Sequence, residues 1–207
     1  MPRTSLRIPA LAALLLAALL SAPARSESAE PAARVNSFYE VLLNTMENAK
    51  QLGLKGRYDK LAPVLSKTYD LASMAKTAVG PGWSEFTPEQ QREVVKAFTR
   101  MTIATYASRF DDYAGEQLEV SQTVDQPNGD RLVKTQITQS NGKTVALNYL
   151  MRKVGSDWKI MDVYLNGAIS ELATRRAEFG AILKSGGPDG LISSLTRQAD
   201  KLLSGGT

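Results

Sequence analysis

The fold is decided by residues 157–183, DWKIMDVYLNGAISELATRRAEFGAIL, where a strand-like run turns at Asn166-Gly167 into a helix-like run. Read with the two-residue period of a strand, one face carries a largely apolar set: Trp158, Ile160, Asp162 and Tyr164. The opposite face is also largely apolar: Lys159, Met161, Val163 and Leu165. One layer of helices covers only one face of a sheet. The pattern therefore predicts that other apolar groups cover the second face.

The preceding strand-like run, TVALNYLMRKV at 144–154, shows the same two-sided pattern. One face carries Val145, Leu147, Tyr149 and Met151. The other carries Ala146 and Leu150, with Asn148 between them. The residues alone leave two interpretations open: a sheet buried between two protein layers, or a sheet with helices on one side and a hydrophobic cavity on the other.

The N-terminus predicts export. Arg3 and Arg7 precede an uninterrupted run of eleven Ala and Leu residues, and Ala22-Pro23-Ala24 is a small-x-small cleavage site. The run is too short to span a bilayer, which needs about 20 apolar residues. We therefore predict a cleaved signal peptide at residues 1–24, a flexible leader rich in Ser, Glu, Ala and Pro at 25–33, and a single domain at 34–207.

Composition removes several classes of chemistry. The chain has no Cys and no His, which excludes disulfides, thiolate nucleophiles, Cys/His metal sites and a histidine general base. Loss of Arg3 and Arg7 with the signal peptide leaves 23 of the 25 basic residues against 21 acidic ones. That balance does not favour nucleic acid as a partner. We expect a protein that is not an enzyme and that uses no cofactor.

The remaining periodicity predicts helices before and after a sheet. Helical spacing covers 34–52 and ends at Gly53, and Pro63 divides the following helical region. Thr87, Pro88 and Gln90 form a capping box that starts a long helix ending near Phe110 or Tyr113.

Four strand-like runs with hairpin turns follow, at 117–123, 131–138, 144–154 and 158–165. Gly167 leads into a helix that bears Ile169, Leu172 and Phe179, and Gly186-Gly187-Pro188 separates it from a last helix. The predicted fold is α+β: a curved four-stranded antiparallel meander wrapped by helices into an NTF2-like cone with an interior. Whether protein side chains or a hydrophobic cavity fill that interior stays open at this point.

Asp162 raises a specific alternative, because an unpaired carboxylate between Met161 and Val163 would be costly. It is paired with a cation, exposed at a rim, or a functional acid. With Tyr149 or Tyr164 it would suit an NTF2-like enzyme acting on an apolar substrate. A third possibility is an accessory subunit of an envelope complex that binds no lipid.

Three segments carry a family resemblance: TYDLASMAKTAVGPGWSEFTPEQQREVVKAFTRMTIATYASRF at 68–110, WKIMDVYLNGAISELATRRAEFGAIL at 158–183 and GGPDGLISSL at 186–195. Together they resemble the MlaC-type periplasmic phospholipid carriers, also known as toluene-tolerance auxiliary proteins. The shared features are a Met-Ala step, a Gly-containing turn, an aromatic residue and the TPEQ helix start, in the same order. The pattern is most similar to the hopanoid-associated branch, HpnM.

This resemblance implies a monomeric periplasmic carrier that shields the tails of a phospholipid or hopanoid and moves it between the inner and outer membranes. It also implies two partners: an inner-membrane ABC transporter with an MCE-type ring, and a lipid-transfer partner at the outer membrane. By hypothesis, the lipid-binding residues come from the long helix, the two apolar strands and the following helix: Phe98, Met101, Tyr106, Tyr149, Met151, Met161, Val163, Leu165, Ile169 and Leu172.

Overall fold

A computed structural model describes residues 29–205, so the predicted signal peptide lies outside the described residues. Helices precede and follow one antiparallel sheet. The helices are α1 (Ala29–Glu47), α2 (Ala49–Thr68), α3 (Leu71–Val79), α4 (Pro88–Arg109) and α5 (Glu171–Leu203). The strands are β1 (Gln117–Asp125), β2 (Arg131–Thr138), β3 (Thr144–Val154), β4 (Asp157–Leu165) and β5 (Ile169–Ser170). Within residues 29–205, no helix has both the length and the apolar character that a membrane crossing requires.

At Gly53 the structure agrees with the predicted helix end, but α1 starts earlier than predicted and ends at Glu47. α1 begins at Ala29, inside the segment predicted as a flexible leader, whose residues 25–28 lie outside the described part of the chain. The helical conformation is interrupted at Gly53, where φ is 60°, and a second helical segment follows directly. Lys60 Nζ of α2 donates to Asn44 Oδ1 of α1. The part of α2 after Gly53 therefore runs back against α1, and the two form a helical hairpin.

Pro63 does not divide this helical region, contrary to the prediction. It lies inside α2, between Leu61 and Leu65, whose side chains are fully buried. Burial of these two side chains offsets the single backbone hydrogen bond that proline cannot donate. The boundary falls instead at Tyr69-Asp70, where the Asp70 carboxylate accepts from Ser73 N–H and caps α3.

Arg57 forms hydrogen bonds with the backbone of both α2 and α4. Its guanidinium is buried and donates from Nε to the Ala107 carbonyl at 2.8 Å and from Nη1 to the Ala49 carbonyl at 3.0 Å. Ala107 belongs to the last turn of α4, whose carbonyls have no partner within the helix. One charged side chain therefore satisfies backbone groups of two helices.

We predict that Arg57→Met lowers the free energy of unfolding by about 3 kcal/mol, because hydrogen bonds from a charged donor contribute about 1.5–3 kcal/mol each and the carbonyls stay buried. Urea denaturation measures the change. Arg92→Met is the matched control, because Arg92 is exposed, and it should change stability by no more than about 0.5 kcal/mol. Equal stability of the two variants would contradict this role for Arg57.

The capping box is confirmed. Thr87 accepts from Gln90 N–H, and the Gln90 side chain accepts from Thr87 N–H, at the start of α4. The helix ends at Arg109, with Phe110 as its C-cap, where the sequence predicted its end.

The sheet is an antiparallel meander in the order β1-β2-β3-β4-β5. The prediction of an α+β fold is confirmed, but the strand count of four was wrong by one. Residues Ile169–Ser170 pair with Tyr164 and Leu165 as a short fifth strand, where the sequence predicted the start of a helix. The pair forms because the turn at Asn166-Gly167, with φ of 50° and 78°, returns the chain alongside β4.

The two apolar faces of the opening stretch do not exist, and this is the main correction to the sequence analysis. Leu150 pairs with Asp162 but Met151 pairs with Ile160, so Met161 is an extra residue in β4, a β-bulge. The bulge reverses the alternation at that point. As a result, one inner face carries the apolar residues of both halves of the strand: Trp158, Ile160, Val163 and Leu165.

The outer face is mostly polar. It carries Lys159, Asp162 and Tyr164 from β4, opposite Arg152, Leu150 and Asn148 from β3. The sheet therefore has one core face, and all five helices lie against one side or one end of it. Strand β3 likewise has its apolar side chains mainly on the inner face. The side chains that face inward are Val145, Leu147, Tyr149 and Met151, whereas Ala146 lies on the outer face and is exposed.

α5 is a hairpin rather than one straight helix. Gly187 has non-helical dihedral angles, φ 60° and ψ −163°, and Pro188 follows it, as the predicted break requires. Phe179 of the first arm packs edge-on against Phe98 of α4, with ring centroids 6.3 Å apart. In the second arm, Asp200 pairs with Arg100 at 2.7 Å and Asp189 accepts from Gln90. Both arms thus lie on α4.

Candidate functional site

A cavity of about 230 Å³ lies between the inner face of the sheet and the helices α3, α4 and α5. Most of its wall is apolar. The lining residues are Tyr69, Met74, Phe98, Met101, Thr102, Thr105, Tyr106, Arg109, Phe110, Ile137, Val145, Leu147, Val163, Leu165, Glu171, Leu172 and Arg175. An engineered apolar cavity of about 150 Å³ holds one six-carbon ring, so by proportion this space holds about nine hydrocarbon carbons.

Six of the ten residues predicted to bind lipid line this cavity: Phe98, Met101, Tyr106, Val163, Leu165 and Leu172. They come from three of the four elements that the sequence selected, namely the long helix, the last long strand and the helix after it. Their role in binding remains a prediction.

The other four predicted residues lie elsewhere. Tyr149 and Met151 are on the inner face but further along β3, fully buried in the core that α1 covers. Met161 is the bulge residue, and Ile169 lies in β5 with 54% of its surface exposed. The bulge and the short fifth strand, neither of which the sequence analysis predicted, account for the positions of Met161 and Ile169. The role of all four residues in binding remains a prediction.

Tyrosines form a cluster at the cavity wall, where Tyr39, Tyr69 and Tyr149 are buried and Tyr106 is half-buried. The Tyr69 and Tyr106 hydroxyls, from two lining residues, lie 2.5 Å apart. Behind them, Tyr39 Oη lies 2.5 Å from Thr135 Oγ1 and donates to Tyr149 Oη at 3.2 Å. The Phe38 ring packs against all four tyrosine rings, with centroids 5.8–6.5 Å away. Two of these hydroxyls, those of Tyr69 and Tyr106, therefore belong to residues of the cavity wall and are hydrogen-bonded to each other.

This cluster predicts a loss of stability at alkaline pH. Burial raises the pKa of Tyr39, Tyr69, Tyr106 and Tyr149 above the usual value of about 10. Above pH 10 the unfolded chain loses phenolic protons that the folded chain keeps, so stability falls as the pH rises. Each such phenol contributes a slope of about 1.4 kcal/mol per pH unit.

Urea denaturation from pH 8 to pH 11 measures this slope. Tyr106→Phe should make the slope shallower by about 1.4 kcal/mol per pH unit. The same change at exposed Tyr113 is the matched control and should leave the slope unchanged. If both variants give the wild-type slope, the raised pKa of Tyr106 is contradicted.

Charged groups also line the cavity, within one helical turn of Tyr106 on α4. Arg109 lies in the last turn of α4, and Glu171 and Arg175 lie in the first turns of α5. Arg175 donates to Glu178 Oε2 at 3.1 Å and keeps other N–H donors. These three charged side chains mark the mouth of the mostly apolar cavity.

Asp162 has a structural role. Its carboxylate accepts from Val163 N–H at 2.7 Å, from Leu172 N–H at 3.2 Å and from Ser170 Oγ at 2.5 Å. These bonds fix the turn from β4 into α5, so its partners are backbone and hydroxyl donors rather than the expected cation. Tyr149 lies on the opposite face of the sheet, which rules out the Asp162–Tyr149 pair of the enzyme hypothesis.

The sequence analysis missed several lining residues, and most had a usable signal. Thr102 and Thr105 follow Phe98 and Met101 on the wide face of α4, and Ile137 pairs with Val145 across the β2–β3 hairpin. Tyr69 and Met74 come from a segment that the sequence assigned to helix without a facing. Their position depends on the parallel bridge between Tyr69 and Ile160, which no local pattern predicts.

The fold and the cavity together define an α+β protein with a mostly apolar pocket between its antiparallel sheet and its helices. The chain belongs to the MlaC family: the model of the family described as MlaC protein matches residues 36–197. The family prediction is therefore confirmed, whereas placement in the HpnM branch stays a prediction.

Two individual proteins are similar to this chain. Toluene tolerance protein ttg2D of Pseudomonas putida is 25% identical over 111 residues, which are 53% of this chain and 52% of that protein. The match thus spans about half the length of that relative. The solved structure of a phospholipid-binding protein from Ralstonia solanacearum, in complex with a phospholipid, superposes with a TM-score of 0.74 at 24% identity, covering 84% of this chain and 98% of the other.

Proposed function

We propose that this protein is a periplasmic lipid carrier whose cavity shields hydrocarbon tails of a phospholipid during transfer between the inner and outer membranes. The observation that carries the proposal is the apolar cavity between the sheet and helices α4 and α5. Membership of the MlaC family and the fold shared with a structure of a phospholipid-binding protein support it.

The free-energy cost of exposing a lipid tail to water favours transfer of the lipid in a protein-bound form. At about 0.8 kcal/mol per CH₂, a tail of about sixteen carbons costs on the order of 12 kcal/mol to expose to water. A cavity that buries about nine carbons recovers about 7 kcal/mol of this. Burial of the remaining carbons requires the wall to move, and flexible lining side chains such as Met74 and Met101 suit that adjustment.

The proposal includes export by a cleaved signal peptide at residues 1–24 and action as a monomer. It also includes delivery by or to an inner-membrane ABC transporter with an MCE-type ring, and exchange with an outer-membrane partner. A hopanoid is the alternative cargo. The role requires no catalysis, and Asp162, the candidate acid, is held by the turn into α5.

Native mass spectrometry of protein expressed in the periplasm tests this function. We expect a mass increase of one phospholipid per chain and recovery of that lipid by solvent extraction. The same protein, delipidated and refolded, should take up phospholipid from vesicles. A stable, folded protein that carries no lipid and takes up neither phospholipid nor hopanoid would contradict the proposal.

A further inference from the structure

A second space opens beside the mouth of the apolar cavity. This cleft has a volume of about 240 Å³ and shares four lining residues with the cavity: Met101, Thr105, Arg109 and Arg175. Its other lining residues are Gln198, Lys201 and Leu202, from the second arm of α5. The cavity and the cleft are therefore adjacent and share one wall.

The cleft is built by helix periodicity. Met101, Thr105 and Arg109 are four residues apart on α4, so they follow one stripe of that helix from the apolar interior to the surface. The hairpin at Gly187 then brings Lys201 of the second arm of α5 to the same place as Arg175 of the first arm. Three cations from three separate helical segments thus meet at one cleft.

Two of these cations are available for a ligand. Among the described residues, neither Arg109 nor Lys201 forms an ion pair within 4.0 Å, and Arg175 uses one N–H for Glu178. The neighbouring Asp200 is already paired with Arg100 at 2.7 Å. Glu171 is the one carboxylate among the residues that line the two spaces, so the shared mouth has an excess of positive charge.

We infer that this cleft binds the phosphate of the cargo's head group while the tails occupy the apolar cavity. The inference rests on the proposed carrier function and makes it more specific. Arginine and lysine are suited to phosphate, and guanidinium groups bind it through paired N–H donors. The cargo class is then a phosphate-bearing glycerophospholipid rather than a neutral polycyclic lipid such as an unmodified hopanoid.

The test compares two soluble lipids with the same tails, dioctanoyl-phosphatidylglycerol and dioctanoylglycerol. Delipidated wild-type protein should bind the phosphate-bearing lipid more tightly. The double variant Arg109→Gln/Lys201→Gln should bind it about tenfold more weakly, equivalent to about 1.4 kcal/mol, with a smaller loss for dioctanoylglycerol because Arg109 also lines the tail cavity. The wild-type preference should also shrink as salt rises from about 0.05 to 0.5 M, because exposed charges are screened.

Lys143→Gln/Lys184→Gln is the matched control, because it removes two exposed lysines that line neither space. It should bind both lipids as the wild type does. An equal loss in the two double variants would assign the effect to net charge and overturn the inference. Equal binding of the two lipids by the wild type would overturn it too, while leaving the carrier function intact.

Two further outcomes separate the possible sources of the anion. Inorganic phosphate at millimolar concentration should compete with dioctanoyl-phosphatidylglycerol and not with dioctanoylglycerol. If inorganic phosphate binds in the cleft but neither displaces the phospholipid nor is displaced by it, the cleft is a site for free phosphate and the head-group assignment is wrong. Failure of the wild type to bind either lipid would instead overturn the proposed function itself.

Discussion

Val163→Phe should lower the affinity for a diacyl phospholipid roughly a hundredfold while the protein stays folded. Val163 lies on the inner face of β4, opposite Tyr149, and lines the cavity with only 7% of its surface exposed. Phenylalanine has four more side-chain carbons than valine, and these would take the place of about four CH₂ groups of a tail. At about 0.8 kcal/mol each the loss is about 3 kcal/mol, or roughly two powers of ten in affinity.

The ring enters existing space, so the usual cost of overpacking a core, about 1–3 kcal/mol, should be near its lower limit. Val154→Phe makes the same chemical change at an exposed position at the end of β3, where 43% of the residue is accessible, and should not alter binding. Lipid affinity and urea denaturation should be measured on both variants. If Val163→Phe binds phospholipid as tightly as Val154→Phe does, the tails do not occupy this cavity.

Asp162→Ala should lower the free energy of unfolding by about 4 kcal/mol. The carboxylate accepts three hydrogen bonds, from the backbone of Val163 and Leu172 and from the Ser170 hydroxyl, and hydrogen bonds to charged groups contribute about 1.5–3 kcal/mol each. A domain of this size should melt about 10 °C lower as a result. The turn that presents Glu171, Leu172 and Arg175 to the cavity would lose its anchor, so lipid retention should fall with stability.

Asp111→Ala is the control, because Asp111 is exposed beyond the end of α4, and it should change stability by no more than about 0.5 kcal/mol. The enzyme hypothesis expects the opposite pattern for Asp162: loss of substrate turnover on Asp162→Asn with the fold intact. Calorimetry and lipid binding on Asp162→Ala, Asp162→Asn and the control separate the two. An Asp162→Ala protein as stable as the wild type would contradict the structural role.

The parts of the fold that depend on local chemistry were predictable from the sequence. The capping box at Thr87 and Gln90 needs only residues three positions apart, and the glycines in the hairpin turns satisfy positive φ angles within a few residues. The break at Gly187-Pro188 is likewise a local matter of backbone dihedral angles. Hydrophobic period and turn chemistry were therefore sufficient for the element order and for the α+β class.

The sheet faces were not predictable in the same way. Strict alternation fails at Met161, because a bulge depends on pairing with β3 and leaves no mark in the spacing of β4 itself. The sequence analysis therefore based the cavity on a wrong premise, namely that β4 has two apolar faces. In the structure the cavity lies on the single inner face, beside α4. Val163 and Leu165 line the cavity because they face inward with the bulge, as they also do on one of the two predicted faces.

Long-range contacts explain the remaining differences. Tyr149 was assigned to the cavity by its face, yet α1 covers that half of the sheet and places Tyr39 against it. Arg175 and Lys201 are 26 positions apart, and only the α5 hairpin brings them to one cleft. Such juxtapositions arise from the packing of whole helices, which no window of local sequence contains.

The most direct test of the account is photocrosslinking with a phospholipid that carries a diazirine midway along one acyl tail. After loading, irradiation and proteolysis, mass spectrometry locates the adducts. The account predicts adducts on the cavity wall, at residues such as Met101, Val163 and Leu172. Adducts confined to the outer face of the sheet, around Leu150, Arg152 and Tyr164, would contradict it.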